Sequence, residues 1–216
     1  MANKTASLAR LIGHTFADGH IHKNKQYFIY VNSNLQMHKE VQRVVKELFG
    51  DVSLNKGTSI SGTPRYQYSN RVGRYLASKG APIGSKVLQK TKIPNWIRNG
   101  NPKIKSAFLG AIFDDEGYFR DSSNCRQIVF KAAKSFELRE NLEEYLLDVI
   151  SLLNSLGVKT SGVKSDQIKH NKNGMKMISL RFWITKNENF QAFRNKIQIL
   201  HPERVAKLEN ISFPSG

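Results

Sequence analysis

The sequence predicts an α/β (α+β) protein made of two similar helix–hairpin–helix–hairpin–helix halves, each hairpin pair forming an antiparallel sheet, the halves related by a pseudo-twofold axis. Two observations carry this. Residues 109–117 read Leu-Gly-Ala-Ile-Phe-Asp-Asp-Glu-Gly, and a looser copy at residues 11–19 reads Leu-Ile-Gly-His-Thr-Phe-Ala-Asp-Gly. Both open on Leu, carry a small residue at the third place (Gly13, Ala111) and end on an acid followed by Gly (Asp18-Gly19, Glu116-Gly117). The second observation is order. Each copy is followed by an alternating hairpin, an amphipathic helix, a second hairpin and further helix.

Residues 5–16 set Leu8, Leu11, Ile12 and Phe16 at helical spacing, with Thr5 or Asn3 as caps. After Gly19 the chain alternates, with Tyr27, Ile29 and Val31 on one face and Gln26, Phe28, Tyr30 and Asn32 on the other, which predicts a hairpin over 20–32. Val41, Val44, Val45, Leu48 and Phe49 form the apolar stripe of a helix over 38–49 that Gly50 stops. A second hairpin over 52–69 sets Arg65, Gln67 and Ser69 opposite Tyr66 and Tyr68, and a short helix over 71–79 ends at Gly80. The composition then turns to Pro, Gly and Lys up to Asn101. This divides the chain into an N-terminal half (1–92), a connector (93–101) and a C-terminal half (102–216).

Asn101-Pro102 is an N-cap followed by Pro at the first helical position, and Ile104, Phe108, Ala111 and Ile112 run down the inner face of the helix it starts. The cycle repeats: a hairpin over 118–132, a long amphipathic helix over 136–156 ended by Gly157, strands near 159–169 and 176–186, and helices over 188–200 and 203–211.

A hydrophobic content of 39% over 216 residues is enough for a real core in one domain or two small ones. Thirty-four Lys and Arg against 17 Asp and Glu leave a net charge of +17, which suits a polyanion bound with strong salt dependence. Nucleic acid is the expected polyanion. No apolar run approaches ~18 residues and no basic helix with one bulky apolar face dominates, so no membrane partner is expected. Cys125 is the only cysteine, which excludes a disulfide framework and a thiolate zinc cluster. With no signal-type apolar core at the N-terminus, the expected location is intracellular, the cytoplasm of a prokaryote or an organelle, not secreted.

Gly just past the last turn is a common helix stop. A carboxylate in that last turn faces the negative end of the helix dipole, which costs roughly 0.3–1 kcal/mol. An unfavourable acid kept twice in register points to an outside cation. These residues also carry a resemblance: the two segments are similar to the paired nine-residue signature of LAGLIDADG homing endonucleases, in the single-chain, double-motif form that acts as a monomer.

The resemblance implies that the two motif helices pack side by side at the interface of the halves, with Asp18 and Glu116 at the centre of a DNA-binding saddle. Gly13, Ala17, Gly110 and Ala111 are consistent with close packing. Two carboxylates about 5 Å apart repel by roughly 3 kcal/mol at an effective dielectric of 20, and a divalent cation relieves this. Mg²⁺, or another divalent cation such as Mn²⁺, is the implied cofactor; Asp18 and Glu116 are the implied ligands, with the backbone of Ala17 and Asp115 as further ones. The activity implied is metal-dependent hydrolysis of both strands of double-stranded DNA at a long, near-palindromic site, with closely staggered cuts across the minor groove leaving 3′ overhangs. Asp115 departs from the family, which has a small residue there, and Asp114 stands opposite Phe16 in the first copy. Residues 80–86, Gly-Ala-Pro-Ile-Gly-Ser-Lys, resemble the family's Gly-x-Pro-x-Gly-x-Lys segment, which makes Lys86 the first basic catalytic candidate. Arg204, within His201-Pro-Glu-Arg, stands at the corresponding place in the second half, with Lys207 as a weaker option. Lys131 is a further catalytic candidate, from the hairpin.

Strand faces expected to read DNA carry Gln26, Tyr30, Asn32, Arg65, Gln67, Arg120, Gln127, Ser179 and Arg181, because an antiparallel ribbon fits the major groove, where Arg and Lys suit guanine and Asn and Gln suit adenine. His20 and His22 share a strand face without a third metal ligand and read as DNA-facing. The competing readings are an RNA-binding intron maturase, with intron RNA as partner, and a non-cleaving DNA-binding regulator on the same fold. An intein remnant is weaker, since no terminal Asn with an adjacent nucleophile is present.

Overall fold

The computed structural model describes residues 2–122 and 125–212. The N-terminal half runs α1 (Ala2–Phe16), β1 (Gly19–Ile21), β2 (Phe28–Val31), α2 (Leu35–Phe49), β3 (Leu54–Thr58), β4 (Pro64–Tyr68) and α3 (Asn70–Ser78). A segment with the short helix α4 (Asn95–Arg98) leads to α5 (Pro102–Glu116), β5 (Gly117–Ser122), β6 (Cys125–Ser135), α6 (Arg139–Ser155), β7 (Lys164–His170), β8 (Lys176–Ile184), α7 (Asn187–Lys196) and α8 (Pro202–Ser212). The turn of the hairpin expected over 118–132, residues 123–124, lies outside the described residues. Helix α1 starts at Ala2, earlier than its spacing predicts, so positions 3 and 5 both fall within its range. Asn34 and Asn101 do cap, accepting from the amides of Gln36 and Ile104.

Both sheets are four-stranded and antiparallel. Their orders, β1-β2-β4-β3 and β5-β6-β8-β7, are the same pattern shifted by four strands. This is the predicted duplication, and it relates the halves by a pseudo-twofold axis. One face of each sheet meets the helices. In the first sheet Phe28 and Tyr30 pair across strands with Tyr68 and Tyr66 on that face; in the second Ile128 and Phe130 pair with Ile184 and Phe182. Most of these side chains are fully buried. The opposite faces carry Ile29, Val31, Arg65 and Gln67 in one sheet and Val129, Lys131, Arg181 and Trp183 in the other.

The most extensive helix contact is between the motif helices α1 and α5. A Cβ on Gly13 would lie 2.7 Å from both the Ala111 Cβ and the Phe108 carbonyl oxygen, so the helices meet with nothing but hydrogen between them there. Gly117 works differently from its expected role. It is not left-handed (φ −66°, ψ 136°). A Cβ at this position would fall 2.5 Å from the Phe113 carbonyl oxygen, so glycine is needed to let the chain leave the helix directly into β5.

Gly13→Val should therefore force the halves apart and destabilise by about 2–3 kcal/mol, a fall in melting temperature of roughly 5–10 °C for a chain of this size. Gly57→Ala is the control, because nothing lies within 4 Å of the added methyl; thermal unfolding of the two variants beside wild type checks the pair.

Candidate active site

Asp18 and Glu116 emerge where α1 and α5 end, each followed by the glycine that starts a strand. Asp18 is half-buried, and its carboxyl is pushed up to about 8, first by burial and then by the charges of Asp115 and Glu116. Glu116 keeps more of its surface in solvent, yet the walls around it push its carboxyl up as well, with Asp115 adding to the shift. Lys86 acts in the opposite sense on both acids.

Two cations close the helix ends. Lys86 Nζ donates to the carbonyls of Ala17 and of Gly19, the latter at 2.8 Å. Arg204 donates from Nη1 to the Phe113 carbonyl and from Nη2 to the Asp115 carbonyl, both at 2.9 Å. A cation at the carbonyl end of a helix is electrostatically favourable. Lys86 is delivered by a loop tied to β1: Gly84 N–H donates to the Ile21 carbonyl (2.8 Å), and Gly80 and Gly84 take the left-handed backbone the turn requires (φ 95° and 79°). The carbonyls of Ala17 and Asp115, expected as metal ligands, are thus engaged by Lys86 and Arg204 in this structure.

Behind the acids lies a buried polar chain. Asn32 Nδ2 donates to Asp18 Oδ2 (2.7 Å) and to the Tyr30 hydroxyl (3.2 Å); Tyr30 donates to Asp115 Oδ1 (2.6 Å); His14 Nδ1 donates to Asp115 Oδ2 (2.8 Å). Asp18 of one half is therefore linked to Asp115 of the other. Asp114 belongs to a second cluster, pairing with Arg10 (2.5 Å) and accepting from the backbone amides of Leu200 and His201 (2.8 Å each) at the start of α8. Arg10 also pairs with Glu40 at 2.9 Å.

Beside Glu116 opens a cavity of about 400 Å³, lined mostly by apolar groups including Phe16, Phe130, Ala132 and Tyr145, with Lys86 and Lys131 at its wall. On the outer face of the first sheet a groove of about 790 Å³ runs over His20, Ile29, Val31 and Arg65, with Lys172 reaching in from the second half.

The structure corrects part of the expected DNA-reading face. Tyr30 and Asn32 point inward: Tyr30 is fully buried and Asn32 nearly so, both committed to the buried chain. Gln26 sits in the turn before β2 at φ 52°, its amide donating to the His22 carbonyl. Both faces of β2 are apolar, so alternation alone does not choose, and the larger aromatics take the core. Arg65, Gln67, Arg120, Gln127 and Arg181 do lie on outer faces. Ser179 shares that face but is buried, its hydroxyl donating to Asp166. Lys131 lines the cavity beside Glu116, yet its ammonium pairs with Asp166 at 2.5 Å. Lys207 is exposed, and Arg204 holds the position at the helix end. His22 Nδ1 accepts from the backbone amides of Asn24 and Lys25, a turn role.

Lys134, which the alternation of β6 places on the core face, was not among the expected site residues. Its buried ammonium donates to the carbonyls of Lys86 (3.1 Å) and Gln89 (2.6 Å) and to the Thr91 hydroxyl (2.9 Å), so the second half clamps the loop that carries Lys86. A charged residue among the core positions of a strand was the available signal.

Residues 103–198 match the family described as LAGLIDADG-like domain. Residues 103–198 carry a LAGLIDADG-like domain. The chain is similar in fold to the homing endonuclease I-DmoI solved with DNA and Ca, at a TM-score of 0.62 and 15% identity over 96% of this chain and 99% of that one. It is also similar to full-length DUF199/WhiA from Thermatoga maritima, at a TM-score of 0.59 and 10% identity over 100% of this chain and 63% of that one. In sequence the chain is 26% identical to the tRNA-splicing ligase RtcB of Pyrococcus furiosus over 94% of its own length, but spans about a fifth (22%) of that relative.

Asp18 and Glu116 fit a hard divalent cation. Burial and neighbouring carboxylates oppose their ionisation, and added positive charge answers both terms. Among the described residues no three His, Cys, Asp or Glu side chains form a ready cage, so a cation here would draw further ligands from outside the carboxylates. No helix among the described residues is long and apolar enough to cross a membrane.

Burial lowers the Lys134 pKa to about 8, from 10.5. Between those values the unfolded chain carries the proton and the native one does not, so the native state gains stability as pH rises from about 8 to 10.5. Urea unfolding of wild type and Lys134→Met across that range should show the wild type gaining on the variant with pH; parallel curves would remove the clamp assignment.

Proposed function

We propose that the protein is a monomeric, sequence-specific endonuclease that hydrolyses both strands of a long, near-palindromic double-stranded DNA site with Mg²⁺, or another divalent cation such as Mn²⁺. The halves 1–92 and 102–216, joined through 93–101, would each take one half-site. The observation that carries this reading is the pair of acids, Asp18 and Glu116, raised together at the ends of two helices packed in contact, between two sheets whose outer faces carry Arg and Lys. A binding surface has no need of two neighbouring carboxylates where the surroundings oppose the ionisation of both.

Asp18 and Glu116 would hold the cation, which in such a place neutralises the charge that builds on a phosphodiester as water attacks it. Asn32 fixes Asp18 through Nδ2, so the carboxylate is aimed before DNA arrives. Lys86 Nζ faces both acids and adds a positive charge at the site where phosphate charge would develop. Arg204 stands at the equivalent end of α5. The outer strands suit the major groove of B-form DNA, whereas the deep, narrow major groove of RNA duplexes does not admit side chains, which favours DNA over intron RNA as partner. The I-DmoI structures were obtained with DNA and Ca or Mn, and that fold likeness supports the reading.

The second reading, a non-cleaving DNA-binding regulator on the same fold, would rest on the basic outer strand faces and the net charge of +17 without use of the acids. Incubation of the protein with its selected target separates the two. Cutting of both strands in Mg²⁺, stopped by chelation and reduced at least about 100-fold by Asp18→Asn or Glu116→Gln with binding retained, is the expected result. Wild type that binds its site tightly but leaves it intact supports the regulator, and variants that cut as fast as wild type remove the acids from the mechanism.

A further inference from the structure

Asp166 sits where β7 leaves regular pairing. Lys164 lies opposite Arg181 and Ser165 opposite Leu180, but the next pair is Gln167 with Ser179, so Asp166 is the extra residue of a β-bulge. A bulge bends its strand and re-aims a side chain. Here the carboxylate is turned onto the outer face of the sheet, where it accepts from Lys131 Nζ at 2.5 Å, Arg181 Nη1 at 3.1 Å and the Ser179 hydroxyl at 3.1 Å. Three strands are tied by one acid. It is also the single Asp or Glu between residues 159 and 186, a stretch otherwise charged by Lys and Arg.

Lys131 and Arg181 are direct register partners on β6 and β8, an arrangement in which like charges repel. The Asp166 carboxylate between them converts the repulsion into a bound cluster and holds its own proton affinity below the ordinary Asp range, chiefly through the Lys131 hydrogen bond. Lys131 and Arg181 still expose 46% and 40% of their side chains, and ion pairs this open add little to stability, so folding alone does not account for the device. What the cluster does supply is fixed spacing. A free Lys or Arg takes whichever phosphate is near; donors locked side by side take acceptors at a matching separation. The Arg181 guanidinium lies over the Trp183 ring at 5.9 Å, which further limits its swing.

We propose that Asp166 is a specificity-determining residue of the C-terminal half, holding Lys131 and Arg181 as a fixed donor pair that reads guanine in the major groove. The assignment rests on the DNA-binding reading above. Guanine is the base whose groove edge presents two adjacent acceptors, O6 and N7, to such a pair. In this role Lys131 is a base-reading residue, and its ammonium is not spent on the chemistry at Glu116.

The test is selection of bound sites from a randomised double-stranded DNA library by wild type, Asp166→Asn and Arg181→Lys, with melting temperature as the check on folding. Wild type should prefer guanine by about 10- to 100-fold at one or two adjacent positions of a single half-site. Asp166→Asn should reduce that preference to below about threefold at the same positions, while the other positions and the affinity for random-sequence DNA stay as they were or rise. Arg181→Lys, which keeps the charge and loses the fork, should lose the same positions, and it carries the test alone if Asp166→Asn does not fold. An unchanged Asp166→Asn profile, or a uniform loss across the site, overturns the inference and leaves the endonuclease reading standing. A wild type that selects no sequence at all overturns both.

Discussion

Backbone contact between α1 and α5 sets the geometry of everything around the two acids. Because a Cβ at Gly13 has no room against Ala111 and the Phe108 carbonyl, the helices approach as closely as their main chains allow, and their C-terminal ends come together. The acids follow from that. Helix ends brought side by side put two carbonyl-rich poles next to each other, and Asp18 and Glu116 add charge of the same sign. Lys86 and Arg204 answer the carbonyls, one at each end. Neither removes the burial that raises both carboxyls, and so the floor of the saddle remains a place where further positive charge is stabilised.

The contact also has to carry an unusual load of buried charge. Arg10, Glu40 and Asp114 form one cluster and His14, Tyr30 and Asp115 another, all of them buried, at or beside the α1–α5 interface. Such groups cost several kcal/mol each when desolvated and roughly break even only when every partner is in place. Their consequence is registration more than stability. Asp114 accepts from the amides at the start of α8, which positions Arg204; Asp115 holds Tyr30, which with Asn32 reaches Asp18. A slip of α1 along α5 would break both clusters at once. The same relation explains why Asp115, out of place by the family pattern, is accommodated: it is buried with both oxygens hydrogen-bonded, one to His14 and one to Tyr30.

Repetition was legible in the sequence because it is local. The two nine-residue segments, their acids and the order of hairpins and helices are visible as spacing, and both sheets form as that order requires. The positions of Lys86 and Arg204 were legible by their motifs. What was not legible depends on distant packing. Strand β2 is apolar on both faces, so nothing in its alternation says that Phe28, Tyr30 and Asn32 go inside, and the choice is made by Tyr66 and Tyr68 on a strand more than thirty residues away. The clamp of Lys134 on residues 86–91 and the bulge at Asp166 are likewise products of neighbours. Gly117 was legible as a helix end, but the reason, collision with the Phe113 carbonyl instead of a left-handed turn, needs coordinates.

The symmetry of the backbone does not extend to the surroundings of the acids. Gly19 pairs with Tyr30 as Gly117 pairs with Phe130, so Asn32 in the first half corresponds to Ala132 in the second. Asp18 therefore has an amide donor aimed at it, whereas Glu116 faces a cavity of about 400 Å³ whose wall at the corresponding place is a methyl group. Hydrogen bonding favours an ionised carboxylate and apolar walls disfavour it. At Asp18 burial and two acidic neighbours outweigh the Asn32 bond; at Glu116 burial acts with one acidic neighbour, and Lys86 and Arg204 both oppose it. A pseudo-symmetric target would thus meet two acids whose charge is set by different balances. Duplicated helices can place two carboxylates alike, but burial and neighbouring charges that differ between the halves set their protonation, and the strand residues behind them, Asn32 and Ala132, have diverged as well.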